Sequence, residues 1–153
     1  SDSSGNSWLV DDTLFVKGTS GSGIFSIAMF DAKNGVIVGG NYEKPTEADN
    51  NLAFTKDGGK TWTIGKGLTG YRSGVTYVDK QTLVAVGTNG WDISYNGGKN
   101  WKNYGTNDKN INAVMSKGKN AIWAVGANGF VAKLNLPFTI LGDSNSLFFT
   151  QIH

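Results

Sequence analysis

Short apolar runs alternate along this chain with breaks rich in Gly, Asn and Asp. That is the pattern of strands joined by tight turns. The runs themselves recur in order. "IFSIAMFD" at 24–31, "SGVTYVD" at 73–79 and "INAVM" at 111–115 each precede a second apolar segment: "VIVGGNY" at 36–42, "LVAVGTNGW" at 83–91 and "IWAVGANGF" at 122–130. After the first two of these pairs comes a polar box ending in Trp, "FTKDGGKTW" at 54–62 and "ISYNGGKNW" at 93–101. Trp62 and Trp101 stand 39 residues apart, and the 83–91 segment returns at the same offset. A fixed period of this length signals a repeat architecture. Each unit reads strand, turn, strand, turn, strand, Gly-rich turn, strand.

The box follows tight-hairpin logic. Gly at the central positions permits positive φ, Asp or Asn accepts hydrogen bonds from nearby backbone N–H groups, and the Ser/Thr hydroxyls add more. The Trp then supplies a large apolar area at the same point of every repeat. Asp57, Gly59, Thr61 and Trp62 fill the first frame, and Asn96, Gly98 and Trp101 the second. The opening "SDSSGNSW" fits as a degenerate copy, with Ser1, Gly5, Ser7 and Trp8 in the places of Thr55, Gly59, Thr61 and Trp62. The chain is therefore expected to start in mid-repeat.

Spacing from Trp8 to Trp62 exceeds the next by 15 residues, and aligning Val38 with Val86 assigns the excess to "TLFVKGTSGSG" and to the loop "NYEKPTEADN". The expected organisation is repeats over 1–136, with 1–23 ending one unit and 24–67, 71–106 and 111–136 forming three more. A tail at 137–153 would add one or two extra strands.

Four-stranded units must hide their sheet faces against each other. Radial stacking does this while leaving only short edges, which makes the expected fold all-β: about three and a half blades of a β-propeller, either partial or half of a closed ring. Composition agrees, with 22 Gly, 5 Trp, 8 Phe and only 2 Pro in 153 residues.

Charge and residue types narrow the chemistry. Formal charge is +2, carried by 13 scattered Lys and the single Arg72, so neither a basic stripe for phosphates nor Arg forks for bases are available. Nucleic acid is not an expected partner. No apolar run approaches the roughly 20 residues of a transmembrane helix. Cys is absent and the one His is His153, which leaves no thiolate chemistry and almost no room for a His triad or a zinc site. No metal or other cofactor is expected.

"TKDGGKTW" and "SYNGGKNW" resemble the Asp-box, or BNR, repeat of sialidases, sortilin-type receptors, xyloglucanases and photosystem II assembly factors. The stretch 24–62 is most similar to assembly-factor-like propellers, and the resemblance covers roughly 1–135. It implies a ring of about seven blades in longer relatives, of which this chain matches the C-terminal half. It also implies export to a periplasm, lumen or exterior, and a non-catalytic scaffold that presents loops to a protein partner.

A sialidase needs an arginine cluster, which Arg72 alone cannot make. A two-carboxylate glycosidase needs two acids across a cleft, whereas Glu43, Glu47 and Asp49 lie in one inserted loop. No catalytic residue is assigned; a carbohydrate-binding or glycosidase propeller is the alternative. Recognition is expected at the insertion, through Tyr42, Glu43, Lys44 and Glu47, and at Arg72 on a repeat junction. Trp91, Tyr95, Tyr104 and Phe130 are read as packing between blades rather than as a sugar platform. Lys56, Lys60, Lys99 and Lys102 recur with the box as a solvated rim. Two copies are expected to close one ring, the tail strand of one completing the opening half-repeat of the other.

Overall fold

A computed structural model of the chain describes residues 15, 17–105, 109–136 and 149–152. The copy of the box at Ser1, Gly5, Ser7 and Trp8 lies outside them. Twelve strands form three four-stranded antiparallel sheets among the described residues. The first contains β1 (Ser22–Met29), β2 (Gly35–Asn41), β3 (Leu52–Thr55) and β4 (Thr63–Ile64). β5 (Gly74–Tyr77), β6 (Leu83–Gly87), β7 (Gly90–Ser94) and β8 (Lys102–Gly105) make the second. The third has β9 (Ile111–Ser116), β10 (Ile122–Gly126), β11 (Val131–Leu134) and β12 (Phe149–Gln151).

Within each sheet every strand pairs with its neighbour in sequence, so each unit is an up-and-down meander. The sheets stand side by side, with β1 against β5 and β5 against β9. Strand alternation then sorts side chains into two faces. Val36, Val38 and Leu52 point from the first sheet at Val75, Leu83 and Ala85 of the second, with Leu68 and Trp101 in the same joint. Val84, Val86, Trp91 and Ile93 point from the second sheet at Ile122, Ala124, Ala132 and Leu134 of the third. The central strands β2, β6 and β7 are buried along their whole length. Both joints place the same repeat positions in contact, because Val36/Val38 and Val84/Val86 hold equivalent places in the repeat.

One sequence expectation fails here. β12 pairs with β11 of its own chain, Leu134 opposite Phe149 and Ala132 opposite Gln151. This strand is occupied within the third sheet, so it is not free to complete a half-repeat in another copy. No Gly-Gly box follows β11 in the sequence, and β12 takes the edge that β8 holds beside β7 in the second sheet.

Candidate recognition face

Because the strands alternate in direction, the turns sort to two ends of the sheets. At one end lie the β1–β2, β3–β4, β5–β6 and β7–β8 connections, which include both Gly-Gly boxes. At the other lie the β2–β3 insertion, the β4–β5 and β8–β9 linkers, and the β6–β7 and β10–β11 turns. All five residues proposed for recognition, Tyr42, Glu43, Lys44, Glu47 and Arg72, fall at this second end. The box residues fall at the first.

The boxes are hydrogen-bonded hairpins. In the first, the Thr55 hydroxyl donates to Asp57 Oδ1 (2.9 Å) and accepts from the Gly59 amide (2.9 Å), while Asp57 accepts from the amide and hydroxyl of Thr61 (2.9 and 2.5 Å). These bonds to the charged form hold the Asp57 carboxyl at about 2, below its ordinary 3.8. Ser94 and Asn96 repeat the arrangement: Ser94 Oγ accepts from the Gly98 amide (2.9 Å) and Asn96 Oδ1 from the Asn100 amide (3.0 Å). Both Gly pairs take positive φ, from 72° to 90°. A Cβ on Gly98 would run into Val36, so the second hairpin also needs Gly to pack against the first sheet. Trp101 donates its indole N–H to the Gly98 carbonyl (2.9 Å) and is buried in the joint. Lys56, Lys60, Lys99 and Lys102 are all exposed. The turn residues are thus consumed by their own hairpins.

At the opposite end, the insertion after β2 is tied down rather than loose. Asn41 caps it, accepting from the amides of Glu43 (2.9 Å, side chain) and Lys44 (3.1 Å, carbonyl). The Pro45 carbonyl accepts from the Tyr71 amide and from Asn89 Nδ2, both at 2.9 Å. Gly70 sits under this anchor, where a Cβ would meet the Pro45 carbonyl oxygen. Asn51 closes the far side by donating to the Gly70 carbonyl (2.6 Å). Lys44 and Glu47 pair across the loop surface at 3.2 Å, both well exposed.

Three aromatic rings meet beside the anchor. Phe25 lies edge-to-face on Tyr71 (centroids 5.0 Å apart) and on Tyr42 (6.0 Å). Tyr71 is buried, and burial first, then the neighbouring Tyr42, raises its hydroxyl above the ordinary tyrosine value. Tyr42 and Phe25 keep 48% and 41% of their surface exposed.

Arg72 is placed differently from the sequence expectation. Its side chain is completely buried and pairs with Asp92 of β7 (Nη2 to Oδ2, 2.6 Å; Nε to Oδ2, 2.7 Å). Its remaining donors reach the Tyr71 carbonyl, Asn89 Oδ1 and Thr69 Oγ1, each at 2.7 Å. Burial lowers its pKa and the Asp92 carboxylate opposes that shift. Asp92 is further held by Thr69 and by Asn103 Nδ2 (3.1 Å). Arg72 therefore touches no partner directly; it holds Asn89, and Asn89 holds Pro45. Asp92, Asn89, Thr69 and Asn103 were missed in the sequence. The available signal was an acid in the middle of an otherwise apolar strand, "GWDIS", in a chain with one arginine.

Of the other aromatics, Trp91 and Phe130 are buried in the joint between the second and third sheets. Tyr104 stacks on Trp91 at 6.0 Å, and Tyr95 stays half exposed beside Tyr104. No group of three or more His, Cys, Asp or Glu gathers as a metal site among the described residues. No helix there is long and apolar enough to cross a membrane.

Among solved structures, the chain is similar to YCF48 bound to D1 peptide, at 18% identity and a TM-score of 0.59, covering 73% of this chain and 37% of that one. It is also similar to YCF48 from Cyanidioschyzon merolae, at 23% identity and a TM-score of 0.57, covering 76% of this chain and 35% of that one. No family model and no curated protein matches it. The likeness establishes the fold: the chain is an all-β partial β-propeller, and it spans little more than a third of the structures it matches.

Proposed function

We propose that this chain is a non-catalytic, Asp-box propeller scaffold of the assembly-factor kind, which binds a protein partner through the end of the blades that carries the insertion. The observation behind this reading is the anchored loop. Pro45 is clamped by Tyr71 and Asn89, so Tyr42, Glu43 and Lys44 are displayed without the freedom of an open loop, and a partner loses less conformational entropy on binding. A neighbour of the same fold has been solved with a D1 peptide, which makes a peptide the first ligand to try. The same resemblance carries export to a periplasm, lumen or exterior. The single Arg72 is internal, so the proposed contact rests on the Phe25–Tyr42 pair and the flanking Glu43.

The test is a peptide array that includes D1 sequences, followed by titration calorimetry of any hits with the wild type, Phe25→Ala and Tyr42→Ala. Loss of affinity of about tenfold or more in each variant is expected if the rings are central to the contact. An array without hits, or hits indifferent to both substitutions, overturns the reading. A glycan array with signal in its place selects the carbohydrate alternative.

A further inference from the structure

Four Asn-Gly pairs occur in the chain: Asn34-Gly35, Asn89-Gly90, Asn96-Gly97 and Asn128-Gly129. Asn is a thermally labile residue. Its carboxamide carbon is open to attack by the backbone nitrogen of the next residue, and Gly in that place lets the chain bend into the ring with no Cβ in the way. Whether a folded pair reacts depends on how firmly its carboxamide and the following amide are held.

Three of the pairs are held. Asn34 Nδ2 donates to both carboxylate oxygens of Asp31 (2.9 and 2.8 Å), and Gly35 is buried in β2 opposite Thr55. Asn89 is fixed at both atoms of its carboxamide, by Arg72 Nη1 (2.7 Å) and by the Pro45 carbonyl (2.9 Å), and Gly90 is buried in β7. Asn96 Oδ1 accepts from the Ser94 hydroxyl (3.1 Å) and the Asn100 amide (3.0 Å), while the Gly97 amide donates to the Gln81 carbonyl (2.9 Å).

Asn128-Gly129 is the centre of the β10–β11 turn. Both residues are exposed and take positive φ, 55° and 72°. The turn is closed by its flanks, through the Phe130 amide to the Ala127 carbonyl (3.1 Å) and the Gly126 amide to the Phe130 carbonyl (2.9 Å). The Asn128 carboxamide and the Gly129 amide have no hydrogen-bond partner among the described residues. A Cβ on Gly129 would stand in open space. The equivalent turn shows why. Asn128 lies 39 positions after Asn89. Asn89 is clamped by Pro45, from the insertion of the preceding unit, and by Arg72, from the linker that opens its own. The unit before Asn128 has the two-residue β6–β7 turn in place of that insertion, and Arg72 is the single arginine of the chain. The missing clamp thus follows from the units present.

We propose that Asn128 is a site of spontaneous deamidation in the folded protein. The Gly129 backbone nitrogen loses its proton and bonds to Asn128 Cγ. The Cγ–Nδ2 bond breaks, and ammonia leaves with a proton in place of that bond, giving a cyclic imide. Water then adds to either ring carbonyl and opens the imide, to aspartate or to isoaspartate at position 128. No oxidant or reductant takes part. Either product adds a negative charge at the end of the blades that carries the insertion, and isoaspartate also lengthens the main chain of the turn by one methylene. The inference stands on the geometry of the turn and not on the identity of the loop's partner.

Peptide mapping by mass spectrometry of the full chain, held in mildly alkaline buffer, tests it by following at each of the four pairs the mass gained when NH2 becomes OH. A urea-unfolded sample in the same buffer gives the rate of each pair without the fold. In the folded chain Asn128 is expected to react about tenfold or more faster than the other three, because hydrogen bonds or a buried strand must open there first. That ranking should collapse in urea. Acidifying the buffer should slow the reaction, since the attacking nitrogen must lose its proton. Asn128→Gln should remove most of the isoaspartate that a methyltransferase specific for it labels in the folded chain. Equal rates at Asn128 and the three held pairs, or a ranking unchanged by urea, overturns the proposal. The readout is covalent mass, so it can fail or succeed independently of the peptide titration.

Discussion

Arg72 and Asp92 carry the most consequential pair of charges in this molecule, since both are completely buried and each satisfies the other. Removing one partner strands the other charge in the interior. Arg72→Ala is therefore expected to lower stability by about 3–5 kcal/mol. Combining Arg72→Met with Asp92→Leu should recover much of that loss, since it removes both charges; urea denaturation midpoints would show it. A cost below about 1 kcal/mol for the single change would sink the argument. Asp57 is a smaller, exposed case with a clear sign. Its native pKa, about 2, lies below the ordinary 3.8, so its hydrogen bonds stabilise the fold fully above that ordinary value and are lost as pH falls from 3.8 through about 2. Asp57→Asn, which copies Asn96, should flatten the drop in melting temperature across that window. Equal acid sensitivity in both proteins would remove Asp57 from the explanation. The turn role of the box was readable in the sequence because it depends on neighbours within a few positions. The role of Arg72 was not, because its partners Asn89 and Asp92 lie 17 and 20 residues away and meet it only when the second sheet forms.

At the level of elements, period-2 apolar runs and Gly-rich breaks suffice to mark strands, and the two boxes coincide with the β3–β4 and β7–β8 hairpins. The register within hairpins follows from the alternation, since a slip by one residue would turn Val84 and Val86 out of the joint. The β10–β11 connection departs from strict periodicity. Val86 stands opposite Trp91, but Val125 stands opposite Val131, so this turn holds one residue more and Phe130 drops into the joint from the turn itself. The outer strand of the third sheet was the least legible, because "SLFFTQI" follows a degenerate box and nothing local specifies its neighbour. Ending the chain at Leu136 should bare the β11 edge. Faster amide exchange in β11 and a lower soluble fraction on heating are the expected signs; unchanged exchange would mean that β12 adds no protection.

For the molecule as a whole, one end of the blades holds the self-satisfied boxes, while the other holds the anchored loop and its exposed aromatics. The residue pattern alone determined that there are repeats, that each is a four-stranded antiparallel unit, and that its turns are closed by Asp or Asn, Gly and Ser or Thr. These depend on interactions over a few residues, and their period survives in the chain as written. Tertiary structure decided the rest: which strand completes the third sheet, and that Arg72 is an internal brace rather than a ligand contact. Those outcomes depend on segments distant in the sequence, 15 to 19 residues for the β11–β12 pairing and 20 for Arg72 and Asp92, where burial and pairing are set by the packed assembly and not by any local preference.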